Sequence, residues 1–257
     1  MKPELPAAFL TLPVAHRALH DLRHGRPENS RAAIRAAMAA GYAIEIDLQA
    51  ASDGCPMVFH DDLLDRVTPA QGRVRDRSRA ELEAIPLSGG NGETIPTLQE
   101  VLDLVAGQVP LLIEIKDQDG QLGANTGALE AATARALTGY AGPVAVMSFN
   151  PHAVAALAKY APDIPRGLVT SAHDPKDWEG LPVDVCDRLR EIPDFDSSQA
   201  CFISHEVADL ASPRVGELRA QGVPVLCWTV TSAAMEKEAR KIAHNVTFER
   251  YLSDIPA

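Results

Sequence analysis

The stretch from residue 44 to residue 62 constrains the fold of this chain more than any other, because it places acids inside an apolar run. Glu45 and Asp47 stand two positions apart between isoleucine and leucine residues. In a strand, side chains at this spacing project from the same face. Acids that face a core are costly unless something pairs them. The pattern therefore predicts a strand that carries a functional acidic face.

A tight turn follows this strand. The dipeptide Asp53-Gly54 is a hairpin signal, and a second apolar run, residues 56 to 59, comes directly after it. Too few residues separate the two runs for a crossover helix, so the pair is predicted to be antiparallel. Folding the ribbon about the turn brings His60 roughly opposite Asp47. Two carboxylates and an imidazole are thus expected at one end of a strand pair.

The rest of the chain alternates between apolar runs and helix signals. The first strand is predicted over residues 9 to 15 and the last over residues 250 to 254. With the hairpin counted as part of one strand, eight strands are predicted, ending near Arg17, Asp47, Lys116, Phe149, Thr170, Glu206, Val230 and Asp254. Eight alternating units in 257 residues favour one α/β domain, a closed TIM (β/α)8 barrel, over an open doubly wound sheet.

Two segments fall outside this alternation. Residues 61 to 96 follow the hairpin without a long apolar period, apart from a short helical pattern near Ala80. They are predicted to form a small insertion over the barrel mouth. Residues 171 to 199 are polar, and neither an element nor a role is predicted for them.

Composition narrows the classes of partner. A net charge of −11 and the lack of a dense run of lysine or arginine argue against nucleic-acid binding. The four scattered cysteines predict reduced thiols in a cytoplasmic protein. The apolar run near the N-terminus is broken by Pro13 and is too short to span a membrane. A homo-oligomer is left open. An acidic protein that handles an anionic substrate needs local positive charge or a metal.

The predicted carboxyl ends of the strands carry charged residues, and in (β/α)8 barrels this face holds the active site. Glu45, Asp47 and Glu114 offer three oxygen ligands with no cysteine nearby, which suits Mg²⁺ or Ca²⁺ better than zinc. His16 and His60, on neighbouring strands, are a candidate acid/base couple. The three carboxylates and two histidines therefore predict a site where a bound metal assists acid/base bond cleavage.

Two cations accompany these groups. Arg17 and Lys116 would supply the positive charge that a phosphoryl oxygen needs, so phosphodiester cleavage by general acid/base catalysis is the predicted chemistry. Taken singly, each residue has a plainer interpretation. A strand-end acid is more often in a salt bridge than on a metal, and Glu114 with Lys116 could be such a pair. The grouping of seven ionisable residues at three strand ends or the attached hairpin favours the site.

Six further histidines lie outside this prediction. His20 and His24 are expected to be solvated loop residues, and His205 falls at a strand end near the mouth. Surface positions are expected for the other three, His152, His173 and His244.

Short motifs in order over nearly the whole chain resemble the bacterial type of the glycerophosphodiester phosphodiesterase family. They are H-R at 16 to 17, P-E-N-S at 27 to 30, I-E-I-D at 44 to 47, D-G-x-P-x-V-x-H-D at 53 to 61, I-P-T-L-x-E at 95 to 100, I-E-I-K at 113 to 116, S-F at 148 to 149, W-T-V at 228 to 230 and S-D-x-P at 253 to 256. The chain departs from the usual H-R-G at Ala18 and from the usual terminal T-D at Ser253.

The resemblance implies a TIM barrel that hydrolyses glycerophosphodiesters such as glycerophosphocholine to sn-glycerol 3-phosphate and an alcohol, with one Mg²⁺ or Ca²⁺. It assigns a role to nine positions. These are the catalytic pair His16 and His60, the metal ligands Glu45, Asp47 and Glu114, the phosphate-side cations Arg17 and Lys116, and the substrate-pocket residues Phe149 and Trp228.

Three alternatives to this function stay open. The first is a barrel that binds a phosphate ligand without activity, although it would be expected to lack an acid/base histidine. The second is a related phospholipase D-like lyase acting on choline-headgroup lipids, which would more often be secreted and disulfide-bonded. The third is a structural barrel, which leaves the clustered acids unexplained.

Overall fold

A computed structural model describes residues 2–256 of the chain. Eight parallel strands form a barrel that closes because β1 pairs with both β2 and β9. A ninth strand, β3, is antiparallel to β2 and forms the predicted hairpin. The strands are β1 (Val14–Ala15), β2 (Ala43–Ala50), β3 (Pro56–Val58), β4 (Leu111–Ile115), β5 (Val144–Ser148), β6 (Arg166–Thr170), β7 (Phe202–Glu206), β8 (Val225–Val230) and β9 (Asn245–Phe248). The TIM-barrel prediction is confirmed.

Helices connect successive strands and cover the outside of the barrel. They are α1 (Ala8–Thr11), α2 (Arg31–Ala40), α3 (Arg79–Glu83), α4 (Leu98–Val105), α5 (Ala128–Ala136), α6 (Pro151–Tyr160), α7 (Val183–Arg190), α8 (Pro213–Ala220) and α9 (Ala233–Ala239). Among the described residues, no helix has the length and apolar character needed to cross a membrane.

Local chemistry explains the helix ends nearest the site. The Ser30 hydroxyl accepts from the backbone N–H of Ala33 and starts α2, which ends at Gly41 in the left-handed conformation. Thr97 starts α4 with a capping box that includes Glu100.

The alternation of side chains along β2 separates the two layers of the core. Ile44, Ile46 and Leu48 are fully buried in the cluster between strands and helices. Ala43 belongs to a second cluster, inside the barrel, together with residues such as Leu112 of β4. Glu45 and Asp47 alternate with the outward set, so both point to the barrel interior as the period of two predicted.

The prediction of a first strand over residues 9 to 15 is wrong for most of that run. Residues 8–11 form α1, and only Val14 and Ala15 pair as β1. Phe9 from the helix is fully buried among the apolar side chains inside the barrel. The Asn245 side chain donates to the carbonyl oxygens of Phe9 and Leu12 and fixes the segment there. In an apolar run this short, the sequence pattern of a buried helical turn cannot be distinguished from that of a buried strand.

The prediction of a last strand over residues 250 to 254 is also wrong. The eighth barrel strand is β9, five residues earlier, and residues 250 to 254 form no strand. Side chains hold this tail to α9: the Tyr251 and Ser253 hydroxyls both donate to Glu236. The departure from the family pattern at Ser253 therefore lies outside the barrel strands.

The two segments that broke the alternation have their own apolar contacts. Residues 61–96 contain α3 and pack Leu64, Val74 and Leu82 against Phe59 of the hairpin. Residues 171–199 contain α7, which the sequence did not predict. The four cysteines are free, as predicted.

Candidate active site

Three carboxylates meet inside the carboxyl end of the barrel. Glu45 and Asp47 on β2 are 1% exposed, and Glu114 on β4 is 7% exposed. The parallel register sets Asp47 beside Glu114. One oxygen from each residue lies within 4.8 Å of the others. The structure thus brings together all three acids that the sequence proposed as metal ligands.

Two cations and an amide surround this acidic cluster. Lys116 Nζ lies 2.7 Å from Asp47 Oδ1 and 2.6 Å from Glu114 Oε1. Arg17 donates its backbone N–H to Glu45 Oε2 at 2.7 Å, while its Nε lies 3.7 Å from Asp47 Oδ2. The Asn29 amide donates to the same Asp47 oxygen at 2.8 Å. The plainer prediction of a Glu114–Lys116 ion pair is therefore also correct.

The charge balance of the cluster fits a bound divalent cation. Burial, followed by repulsion from Asp47 and Glu114, raises the pKa of Glu45 well above its usual value. Glu45 Oε1 is buried, and no residue that the structure describes donates a hydrogen bond to it. A cation with oxygen ligands would neutralise the repulsion and take this free oxygen. Burial favours a raised pKa at Asp47 too, but attraction to Lys116, His60 and Arg17 outweighs it and holds that pKa below normal.

His16 follows β1 and is held by an acid that follows β9. Its Nδ1 lies 2.8 Å from Glu249 Oε2. Burial lowers the pKa of His16, and the hydrogen bond to Glu249 opposes that effect without cancelling it. Burial therefore favours the neutral imidazole. With the carboxylate accepting from Nδ1–H, Nε2 carries the lone pair of a base.

His60 follows the hairpin and is held by its own neighbour. Its Nδ1 lies 2.6 Å from Asp61 Oδ1. Arg66 donates to Asp61 through Nε at 2.6 Å and to Glu28 through both terminal nitrogens, at 2.6 and 2.9 Å. Glu28 in turn accepts from Arg17 at 2.9 Å. A continuous chain of charged contacts thus joins the second histidine to the first cation.

A cavity of about 90 Å³ collects the predicted residues. It is lined by His16, Arg17, Glu45, His60, Glu114, Lys116, Phe149 and Trp228, among others. Asp47 is the one predicted residue that does not line the cavity, but it contacts Lys116, which does. Met147 and Val169 also line the cavity, so its wall combines apolar and charged side chains. Such a combination suits a substrate with a phosphate at one end and carbon at the other.

Aromatic rings form part of the apolar lining. Phe149 packs edge to face on Trp228 at 5.4 Å and on Trp178 at 5.0 Å between ring centroids. The Trp228 indole is fixed because its N–H donates to the Ser204 carbonyl at 3.0 Å. Trp178 stacks on His173. Both of these residues come from the segment for which the sequence predicted no role.

Two of the remaining histidines correct the sequence prediction. His173, expected at the surface, is 2% exposed, and burial lowers its pKa to about 4. His20, expected to be solvated, places Nε2 3.5 Å from Glu249 Oε2. His152 and His244 are exposed, as expected, and His244 Nδ1 accepts from the Val225 N–H.

Sequence reasoning missed Glu249, Asp61 and Arg66. Asp61 had a signal, since it stands next to His60 in the H-D motif. Glu249 also had one, since it follows the apolar alternation of β9, but the strand was placed too late. Arg66 had none, because its contacts with Glu28 and Asp61 depend on how the insertion folds back.

The loop after β1 retains a conformation that glycine favours. Ala18 stands where the family pattern has glycine and adopts a φ of 62°, in the left-handed region. Its N–H donates to the Glu45 carbonyl oxygen at 2.9 Å. The replacement therefore leaves the loop attached to β2.

Fold and site together define a TIM barrel whose mouth holds carboxylates, imidazoles and cations around one cavity. The glycerophosphoryl diester phosphodiesterase family model matches residues 16–247. The chain belongs to this family of phosphodiesterases, as its motifs predicted.

Individual relatives agree. A glycerophosphodiester phosphodiesterase of Caldanaerobacter subterraneus is 34% identical over 167 residues, 62% of this chain and 66% of that protein, just under two thirds of its length. An Oleispira antarctica phosphodiesterase, solved in complex with the product sn-glycerol-3-phosphate, is 25% identical, with a TM-score of 0.75 and 93% of each chain covered. A glycerophosphodiester phosphodiesterase from Agrobacterium tumefaciens shares the fold, with a TM-score of 0.69, 22% identity and coverage of 93% of this chain and 96% of that one.

Proposed function

We propose that this protein hydrolyses glycerophosphodiesters to sn-glycerol 3-phosphate and an alcohol, with one Mg²⁺ or Ca²⁺ bound. One observation carries the proposal: two imidazoles, each held at Nδ1 by a carboxylate, line the same cavity as a buried acidic cluster. The Oleispira antarctica relative with bound sn-glycerol-3-phosphate supports the product class. Cytoplasmic location and oligomeric state stay predictions from the sequence.

The carboxylates of Glu45, Asp47 and Glu114 would hold the cation. When bound, it supplies positive charge next to a phosphoryl oxygen and makes the phosphorus a better electrophile. In the structure, the Lys116 ammonium already contacts two of these acids, so cation binding is expected to turn Lys116 toward the substrate.

His16 is the proposed general base and His60 the proposed general acid. His16 takes a proton on Nε2 from the attacking hydroxyl, its O–P bond forms, and the bond from phosphorus to the leaving alcohol breaks. His60, protonated, donates its Nε2 proton to that alcohol. The attacking hydroxyl is either water or the 2-hydroxyl of the glycerol, which would give a cyclic phosphate. The lowered pKa of His16 supports its assignment as the base.

The remaining predicted residues position the substrate. Arg17 and Lys116 line the cavity and would pair with phosphate oxygens, Arg17 through its planar guanidinium and Lys116 through its ammonium group. Phe149 and Trp228 would pack against the carbon skeleton of the substrate. Glu249 and Asp61 hold the two imidazoles and need not touch the substrate.

The test is hydrolysis of glycerophosphocholine by His16→Ala and His60→Ala, with His152→Ala as an exposed control. Removing a positioned acid or base is expected to lower the rate by about 10²- to 10⁴-fold, while the control keeps wild-type turnover. Near-normal turnover by both active-site variants with metal present would contradict the assignment. Tight binding of substrate with no turnover by wild type would favour the inactive phosphate-binding barrel.

A further inference from the structure

We propose that His16, His20 and Glu249 form a second metal site, separate from the acidic cluster and selective for a transition metal such as Zn²⁺, and that its occupation inhibits the enzyme. Binding at this site stands on its own geometry. Only the inhibition rests on the proposed function.

The three side chains already converge. His16 Nδ1 lies 2.8 Å and His20 Nε2 3.5 Å from the same oxygen, Glu249 Oε2. All three ligand atoms lie within 4.8 Å of one another. Tetrahedral zinc with bonds of about 2.0–2.1 Å separates its ligand atoms by roughly 3.4 Å. The His20 to Glu249 distance matches this value, and the His16 to Glu249 distance needs to open by only about 0.6 Å for such a site.

The donor atoms select a different metal from the one expected at the acidic cluster. Two imidazole nitrogens with one carboxylate oxygen suit Zn²⁺, Co²⁺ or Cu²⁺, whereas Mg²⁺ and Ca²⁺ prefer oxygen alone. The acidic cluster offers three carboxylates and no imidazole. The chain therefore presents two sites of opposite preference.

One ligand atom has no role in the hydrogen-bonding of the protein. His20 Nε2 is buried and has no hydrogen-bond partner among residues 2–256. Glu249 uses its other oxygen for Arg250, whose Nε lies 3.0 Å from Oε1. A free imidazole nitrogen aimed at a carboxylate oxygen that already serves His16 is a suitable place for a cation.

A path for the metal and for water is also present. His20 and Glu249 line a cavity of about 550 Å³ that also borders Ala18 and Tyr251. His16 instead lines the smaller catalytic cavity. The three ligands thus lie between the two cavities, and a water from the larger one can take the fourth position of the metal.

Occupation of this site would act directly on the proposed base. The metal takes the Nδ1 lone pair and replaces the contact between His16 Nδ1 and Glu249, so the proton of the neutral ring lies on Nε2. Nε2 then has no lone pair to accept the proton of the attacking hydroxyl, and turnover falls. His20 itself lies outside the catalytic cavity, and its replacement is expected to leave basal turnover unchanged.

The first experiment measures metal binding without substrate. Full-length protein is saturated with Ca²⁺ to fill the acidic cluster and then titrated with Co²⁺, whose visible absorption reports tetrahedral nitrogen and oxygen ligands. Wild type and His24→Gln, a histidine of the same loop that is 67% exposed in its side chain, are expected to bind one ion. His20→Gln and Glu249→Gln are expected to bind at least 10-fold more weakly. Thermal unfolding checks that each variant is folded.

Two results would overturn the site: no Co²⁺ band in wild type, or the same band and affinity in His20→Gln. Loss of binding in His24→Gln would also contradict the ligand assignment. The second experiment adds Zn²⁺ to the Ca²⁺-saturated enzyme during hydrolysis of glycerophosphocholine. Wild type is expected to be inhibited at concentrations at least 10-fold below those that inhibit His20→Gln, and equal inhibition would refute the regulatory role. If wild type shows no hydrolysis before Zn²⁺ is added, the proposed function fails, while the Co²⁺ titration still decides the site.

Discussion

Glu249 Oε2 lies 2.8 Å from His16 Nδ1, although 233 residues separate the two in the chain. The contact joins the residue after the last barrel strand to the residue after the first, so it exists only once the barrel has closed. It sets the orientation of the imidazole and leaves Nε2 for the substrate.

Glu249→Gln is therefore expected to lower kcat by roughly 10- to 100-fold with little change in KM, because a misplaced base costs rate even where binding is intact. The sign of the pH effect follows from the pKa of His16. Burial and Arg17 lower that pKa, while Glu249 and Asp47 raise it. Loss of the Glu249 charge lowers it further, so the acid limb of kcat/KM moves to lower pH. Glu217→Gln, an exposed acid, is the control. An acid limb that moves to higher pH would contradict this relationship.

Arg66 is expected to act as a positioning residue for His60. Arg66→Met removes the fork that joins Asp61 to Glu28, and kcat is expected to fall by about 10- to 100-fold as the imidazole loses its fixed orientation. Arg73→Met is a matched control, since the two side chains are 48% and 47% exposed and the Arg73 guanidinium pairs with Asp62, at 3.7 Å, rather than with Asp61 or Glu28. Equal kcat values for the two variants would show that the chain of charges does not position His60.

Glu45→Gln separates two effects of the acidic cluster: the destabilisation that the buried carboxylates cause without a metal, and the stabilisation that metal binding gives. Because burial and two neighbouring acids raise the pKa of Glu45, its carboxylate is unfavourable without a cation. In EDTA the variant is expected to melt at or above the wild-type Tm. In Ca²⁺ the wild type is expected to gain Tm by ligand binding, and the variant to gain little. Glu238→Gln, with a side chain that is 66% exposed, serves as the control. A full Ca²⁺-dependent rise in Tm for Glu45→Gln would exclude this carboxylate as a ligand.

His173 links the stability of the aromatic wall to pH. Its folded-state pKa of about 4 lies below the usual 6.5 because the ring is buried. Between these values the unfolded chain binds a proton that the folded chain does not, so stability is present above pH 6.5 and is lost as pH falls toward 4, by up to about 3 kcal/mol. His173→Asn, which tolerates the φ of 46°, is expected to flatten the pH dependence of unfolding in that window, with exposed His152→Asn unchanged from wild type. An unaltered slope in His173→Asn would contradict the linkage.

The part of the site that could be predicted from sequence lies on regular strands. The period of two placed Glu45 and Asp47 on one face, and the turn at Asp53-Gly54 gave the hairpin: Leu48 pairs with Val58 and the Phe59 N–H donates to the Asp47 carbonyl, so His60 is close to the acid it was expected to face. These positions could be predicted because they depend only on residue spacing within one strand and on its pairing with adjacent strands.

The part that could not be predicted depends on contacts between distant segments. The run N-V-T-F of β9 has only four residues, and two of them are polar, so it gives no clear strand signal and the strand with its adjoining acid Glu249 was misplaced. Trp178 and Arg66 reach the site from irregular segments whose path is set by packing. No periodic sequence pattern therefore identifies Trp178 or Arg66 as a residue of the site.

The central claim is tested most directly by release of sn-glycerol 3-phosphate from glycerophosphocholine, measured with EDTA and after add-back of Mg²⁺ or Ca²⁺. We expect release that vanishes on chelation and returns with one of the two ions. No release with either ion across a panel of glycerophosphodiester head groups would contradict the proposed activity, and release that EDTA leaves unchanged would contradict the metal site.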